Sequence, residues 1–384
     1  MKEKANIIEM FRNRFGSDPA VAASAPGRLE ILGNHTDYNE GFVLSVAVGQ
    51  TTDVAMTPIE GRECIIHEHG KDHFLNLDEI DVKIPGDWRN YLKGLLVELR
   101  RRGFTVKAFN AALTSNVPLS AGMSSSAALE MAFAYAIKTV NNIELSLPDW
   151  ARVGQAVENK FLGLNSGLLD QFSSLYGQEN AVIHCDFRTV EVLQTVPMPA
   201  GWKLVVANTL VKHNLVESDY NLRRISCENA RNAIAQKHPE VKALRDVSPA
   251  LLEACKADLD PVDYARALHV VGEDDRVMRG VELLKSGNVE GFGKLLFESH
   301  ESSKNNFENS CPELDVLVEL AHSIPGCAGA RLSGGGFGGI SIHLVKEEAA
   351  EEYCKRLETA YETTTGKKID TVICSIGNGA RIIA

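Results

Sequence analysis

No apolar run in the 384 residues is long enough to cross a bilayer, and the opening Met1-Lys2-Glu3-Lys4-Ala5-Asn6 leads into a short amphipathic segment instead of a signal core. A membrane partner is not expected, and a cytoplasmic location is. Positive charge is in deficit, with 40 Lys and Arg against 51 Asp and Glu and a formal net charge of -11. A protein that binds phosphate backbones shows the opposite balance, so nucleic acid is not an expected partner. The eight cysteines, at 64, 185, 227, 255, 311, 327, 354 and 374, form no C-x-x-C pair, which leaves buried reduced thiols as the reading. Also missing are the phosphate-loop pattern G-x-x-x-x-G-K-[ST] and a strand-borne G-x-G-x-x-G with an acidic residue about 20 positions on. Those two nucleotide folds are disfavoured, and no repeat or low-complexity tract suggests an array.

What is present fits an ordinary globular enzyme of two domains, with 44% hydrophobic and 24% charged residues. Apolar spacing predicts a helix over residues 5–15 that stops at Gly16. Strand-like runs follow at 41–49, 51–58 and 63–69, then helices over 90–102 and 124–141. The second of these helices is apolar on most sides and is expected to be buried. A further helical stripe over 150–162 breaks at 163–167 and restarts at Leu168. Strands are expected at 181–183, 190–193 and 203–208, with Pro197-Met198-Pro199-Ala200-Gly201 between the last two as the best boundary, dividing the chain into 1–200 and 201–384. The second half is helix-rich from Asp219 to about Lys304 and ends in a helix over 347–364 and a strand over 371–375.

Four segments could carry chemistry. Gly27 to Tyr38 packs Arg28, His35 and Asp37 into a glycine-bounded dozen, which reads as a sugar-binding loop with a catalytic cation. Asn116 to Ala128 is a run of small residues opening straight into the buried helix. Free N–H groups and the helix dipole make such a start an anion site, although serines there can also simply cap a core helix. Gly167-Leu168-Leu169-Asp170-Gln171-Phe172 places an aspartate in an apolar stretch, where it is either at an exposed turn or held beside a cation. Ala330 to Gly339 has five glycines in six positions, suited to close backbone approach to a ligand or to a flexible hairpin.

Together, and in this order, these segments resemble the motifs of the galactokinase family, in the superfamily of galacto-, homoserine, mevalonate and phosphomevalonate kinases. The family forms are Gly-Arg-Val-Asn-Leu-Ile-Gly-Glu-His-Thr-Asp-Tyr, Pro-Leu-Gly-Ala-Gly-Leu-Ser-Ser-Ser-Ala, Gly-Ile-Met-Asp-Gln-Phe and Gly-Ala-Arg-Met-Thr-Gly-Gly-Gly-Phe-Gly-Gly. The resemblance covers nearly the whole chain. It implies an α+β fold, with an N-terminal domain like ribosomal S5 domain 2, a C-terminal ferredoxin-like domain and the active site between them. It implies an ATP- and Mg²⁺-dependent sugar 1-kinase, most simply a galactokinase. Asp170 would be the catalytic carboxylate and Arg28 its cationic neighbour. Asn34, His35, Thr36, Asp37, Gly167 and Tyr220 would hold the sugar. Trp88, Ser120, Ala121, Gly122, Met123, Ser124, Ser125 and Ser126 would line the ATP site, with Trp88 by the adenine. Ser126 and Glu158 would bind the metal, a hydroxyl and a carboxylate being enough for a cation that keeps several waters. Taken alone, Glu158 reads as part of a solvated helix face.

This chain departs from the first motif at Glu30 and Asn34 and from the second at Ser120. Position 34 is a sugar-contacting glutamate in the family. An asparagine there could tolerate a carboxylate at C6, so a kinase of galacturonate or another galactose derivative is the first alternative. A sugar-sensing regulator without catalysis is another, opposed by the retention of Arg28, Glu158 and Asp170. An isoprenoid or amino-acid kinase is disfavoured by His35-Thr36-Asp37-Tyr38. A monomer is the expected oligomeric state. His67, His69 and His73 read as a surface hairpin, and Arg100, Arg101 and Arg102 as a basic helix end.

Overall fold

The computed structural model describes residues 6–118, 122–212 and 216–384. Ser120 and Ala121, both expected at the ATP site, lie outside the described residues. The strands are β1 (Val21–Leu32), β2 (Phe42–Ile59), β3 (Glu63–Glu68), β4 (Lys71–Asn76), β5 (Ala108–Ser115), β6 (Ala181–Asp186), β7 (Glu191–Pro197), β8 (Trp202–Lys212), β9 (Cys327–Ser333), β10 (Gly338–Lys346), β11 (Asp370–Cys374) and β12 (Arg381–Ile382). The helices are α1 (Ile7–Phe15), α2 (Arg89–Arg101), α3 (Ser125–Asn141), α4 (Leu147–Ala156), α5 (Leu169–Tyr176), α6 (Val216–Lys237), α7 (Pro249–Ala254), α8 (Pro261–Lys285), α9 (Val289–Ser302), α10 (Pro312–Ser323) and α11 (Ala350–Thr365).

The first sheet runs β12-β1-β2-β5-β3-β4, with β6 paired to β2 and β7 to β6. Its pairings are antiparallel except β3 with β5. Alternation along the strands sorts the side chains into two layers. Val21, Ala23, Val54 and Met56 face a core shared with α2 to α5, whereas Ala22, Ala55 and Ala112 face Ile7 and Phe11 of α1. Helix α1 ends where expected, because Gly16 takes the left-handed conformation (φ 76°) and its N–H closes on Arg12 O.

The second sheet runs β11-β8-β10-β9, all antiparallel. In chain order this is strand, helices, two strands, helix, strand, with the spatial order 4-1-3-2 of a ferredoxin-like unit. The period of two is again visible: Val205 and Ala207 face α10 and α11, whereas Leu204 and Val206 face the first sheet. There they join Leu29, Ile31, Leu44 and Val46 of β1 and β2, together with Ile340, Ile342 and Leu344 of β10. Each fully buried aliphatic side chain contributes about 1.5–3 kcal/mol. This shared core therefore fixes how the sheets face each other across the cleft.

The structure corrects the sequence reading in four places. The runs 41–49 and 51–58 form one strand of 18 residues, because Gly49 does not break β2 but lets another segment approach: a Cβ there would lie 2.1 Å from Ser375 Oγ. Half of the supposed loop from Gly27 to Tyr38 is strand β1, and only the remainder turns. The stripe over 150–162 is two elements, α4 and a wide π-helical turn over Val157–Leu162, and Glu158 is buried in that turn. The short β12 returns the C-terminal end of the chain to the edge of β1.

Candidate active site

Two irregularities in β1 flank the side chains that matter. The register with β2 shifts between Pro26 and Arg28 and again between Glu30 and Leu32, and such bulges re-aim neighbouring side chains. Leu29 and Ile31 stay in the intersheet core while Arg28 and Glu30 reach a cleft of about 210 Å³. That is below the roughly 300–1,000 Å³ of sites for drug-sized ligands and suits something smaller. Asn34, His35, Asp37, Gly167, Asp170, Tyr220, Gly334 and Gly335 also line it.

Arg28 and Asp170 meet at one side of the cleft. Arg28 Nε donates to Asp170 Oδ1 at 2.8 Å, Nη2 lies 2.6 Å from the same oxygen, and Nη1 donates to Gly122 O at 2.7 Å. Burial alone would lower the Arg28 pKa, but the carboxylates of Asp170, Glu30 and Glu158 outweigh it and hold the guanidinium charged. Ser124 Oγ donates to Asp170 Oδ2. Ser124 precedes α3 in a left-handed conformation (φ 52°), and its side chain does not cap that helix. The start of α3 is thus left uncapped by the Ser124 side chain, and such helix starts receive anions. Met123 is buried in the intersheet core and contributes its carbonyl, which accepts from Arg28 N at 3.0 Å.

Beside this cluster, Ser126 Oγ donates to Glu158 Oε1 at 3.3 Å and Ser166 Oγ to Oε2 at 2.5 Å. Burial first, then the charge of Asp170, raises the Glu158 pKa. A buried carboxylate so disposed, with a hydroxyl next to it, offers the hard oxygen donors that Mg²⁺ takes. The residues fit the ion.

On the other side the sugar-type motif forms a tight turn. His35 adopts φ 62°, an uncommon conformation for a residue other than glycine. Its ring packs among Tyr38, Tyr220 and Phe307, and Nδ1 pairs with Tyr38 Oη at 2.8 Å. Burial pushes its pKa down to about 3, so the ring is neutral at working pH. The Asp37 carboxylate lies against the backbone of Gly167, where a Cβ would come within 1.6 Å of Oδ2, and it accepts from Leu169 N at 3.4 Å. Burial raises the pKa of both Asp37 and Tyr220.

Not every expected residue reaches the cleft. Thr36 is fully buried, and its hydroxyl holds the turn through Gly33 O (2.8 Å) and Phe42 O (2.6 Å). Trp88 stands at the start of α2, edge-on to His73 at 5.4 Å between ring centroids, and does not line this cavity. Ser125 opens α3. His67 and His73 lie on the β3–β4 hairpin, where His67 pairs with Asp72 at 2.7 Å.

Sequence reasoning missed the support beneath the turn. Glu273 Oε2 on α8 accepts from Gly33 N and Asn34 N, both at 2.9 Å, while Oε1 pairs with Arg276 at 2.6 Å. Asn309 Nδ2 donates to Asn34 Oδ1 at 3.0 Å. Arg331, which is fully buried, reaches Glu30 Oε1 and Ile31 O, both at 3.0 Å. Only Arg331 had a signal, its place beside the glycine run.

Comparison with known proteins gives a consistent result. Residues 9–58 match the galactokinase galactose-binding signature, residues 90–178 the GHMP kinases N-terminal domain and residues 281–363 the GHMP kinases C-terminal model. A galactokinase of Roseiflexus sp. (strain RS-1) is 36% identical over 382 residues, covering 99% of this chain and 97% of its own. One from Haemophilus influenzae (strain ATCC 51907 / DSM 11121 / KW20 / Rd) is 38% identical over 397 residues, covering 98% and 99%. The crystal structure of Lactococcus lactis galactokinase complexed with galactose superimposes with a TM-score of 0.91 at 30% identity, over 97% of this chain and 98% of that one.

Proposed function

Because the chain belongs to the galactokinase family, we propose that its cleft takes D-galactose and that the enzyme transfers the γ-phosphoryl group of ATP to the anomeric hydroxyl, giving galactose 1-phosphate and ADP. The observation that carries this reading is the Arg28–Asp170–Ser124 cluster at a monosaccharide-sized cleft, beside a helix start without a side-chain cap.

The anomeric oxygen attacks the γ-phosphorus while the bond from that phosphorus to the bridging oxygen of ADP breaks. Asp170 accepts the proton the hydroxyl loses, with Arg28 and Ser124 holding its carboxylate in place. Arg28 also faces the charge that spreads over the phosphoryl oxygens. The N-terminal turn of α3 receives the phosphates, and Ser126 and Glu158 are the residues that would hold Mg²⁺, which when bound neutralises phosphate charge. His35, Asp37, Gly167 and Tyr220 shape the sugar side. Trp88 and the loop around residues 120–125 belong to the nucleotide side of this proposal. A cytoplasmic monomer completes the proposal; among the described residues no helix is long and apolar enough to cross a membrane.

The test is formation of galactose 1-phosphate from galactose and MgATP. Turnover of another sugar with none of galactose would replace the substrate, and binding of both ligands without product would replace the activity.

A further inference from the structure

Resting on this reading, we infer that Glu30, not Asn34, reads a hydroxyl of the sugar, and that the carboxylate it supplies selects a neutral sugar over a uronate.

Asn34 is 1% exposed and its amide is committed to the protein. Both Nδ2 hydrogens are used, one on Glu30 Oε1 at 2.9 Å and one on Gly334 O at 2.8 Å, while Oδ1 accepts from Asn309. It has no N–H left to give a ligand. An asparagine can attract a substrate carboxylate by donating to it, and position 34 has no such donor left in this geometry.

Glu30 is the converse case. Its side chain lines the cleft while being 4% exposed. Oε1 is pinned from two sides, by Asn34 Nδ2 and by Arg331 Nη1. The backbone is held too, since Glu30 N donates to Ser333 Oγ and Ser333 Oγ to Glu30 O. Oε2 has no hydrogen-bond partner among the described residues. A fixed carboxylate at the wall of a cavity, with one oxygen satisfied and the other without a partner among the described residues, is an acceptor awaiting a donor, and a sugar hydroxyl is such a donor.

Charge points the same way. Glu30, Asp37 and Asp170 line the cavity against Arg28, whose guanidinium is already paired with Asp170. A uronate would add a further negative charge with no unpaired cation among the described residues that line the cavity to receive it. The exchange is also reciprocal in sequence: the usual motif has asparagine where this chain has Glu30 and glutamate where it has Asn34. The pair keeps its single charge and reverses its order, and the two side chains bond to each other.

The experiment compares wild type, Glu30→Gln, Glu30→Asn and the double exchange Glu30→Asn/Asn34→Glu on galactose and galacturonate, with KM for ATP and Tm measured for each. The Glu30→Gln change is expected to raise KM for galactose about tenfold, the scale of one hydrogen bond to a charged group, with kcat and KM for ATP within about threefold. It is also expected to narrow the galactose-to-galacturonate ratio of kcat/KM about tenfold. Glu30→Asn should be similarly impaired and the double exchange should recover galactose KM, which also separates loss of the carboxylate from loss of folding. Unchanged galactose KM and sugar ratio in Glu30→Gln would overturn the inference. A wild-type enzyme that turns over galacturonate in preference to galactose would overturn it as well. Absence of any sugar phosphorylation by wild type is a different failure, that of the functional reading, and simple binding of the two sugars to wild type and Glu30→Gln would then decide the role of Glu30.

Discussion

The two sides of the cleft are built differently. On the phosphoryl side the contacts are made within the first half of the chain: Arg28 with Asp170, Ser124 with Asp170, Ser126 with Glu158. On the sugar side Asp37 also meets Gly167 and Leu169 within that half, but the contacts beneath the turn join residues some 240 to 300 positions apart: Gly33 and Asn34 with Glu273, Asn34 with Asn309 and Gly334, Glu30 with Ser333 and Arg331. One region is the start of α3 with Arg28 of β1 and Asp170 of α5. The other exists only when the second sheet and α8 are packed against the first. On the proposed function, the chemistry depends on contacts within the first half of the chain, whereas the identity of the sugar depends on how the two halves meet.

Changes on each side should separate accordingly. The largest expected effect is at Asp170: Asp170→Asn removes the proton acceptor but keeps hydrogen bonding, and kcat should fall about a thousandfold with little change in KM for galactose. A coupled assay of ADP release would show it, and a variant with kcat near wild type would remove Asp170 from the reaction. Next is Gly167→Ala, whose Cβ would intrude on the Asp37 carboxylate. KM for galactose should rise about 10- to 100-fold with KM for ATP unaltered, since a small displacement of a positioning group costs about that much. Equal losses for both substrates would erase the distinction between the two sides. A smaller effect belongs to the metal: chelation should abolish turnover, and Ser126→Ala should raise the Mg²⁺ needed for half-maximal rate about three- to tenfold by removing one of the two protein oxygens. A titration curve identical to wild type would exclude Ser126 as a ligand.

The smallest effect is on stability and lies beneath the sugar turn. Asp274 accepts from Phe42 N at 2.7 Å, and burial pushes its pKa up to about 7. A carboxyl whose folded pKa lies above the unfolded value stabilises fully below about pH 4, and that contribution is lost as pH rises toward 7. Asp274→Asn keeps the acceptor and drops the titration, so its Tm should exceed that of wild type by a margin that opens between pH 4 and pH 7. Parallel Tm curves across that range would contradict the assignment.

The contrast between the regions also explains what could be seen in the sequence. Features set by local rules were legible: α1 with its Gly16 stop, the small-residue entry to α3, and the aspartate and glycine motifs whose residues meet at the cleft. Features that depend on packing were not. Gly49 resembles a strand end until Ser375 is found against it, and Glu158 resembles a surface residue until the π turn rotates it inward. Glu273 and Asn309 sit in helical or irregular sequence with nothing to distinguish them, because their partners are backbone and amide groups far along the chain. Thr36 shares a motif with cleft residues, yet its hydroxyl closes the turn that presents them.

The most direct test of the account is the rate of ATP-dependent phosphorylation of galactose set against galacturonate in the unaltered enzyme. Galactose 1-phosphate formed in preference, by at least a hundredfold in kcat/KM, is the predicted result. Phosphorylation of the uronate with none of galactose would contradict it.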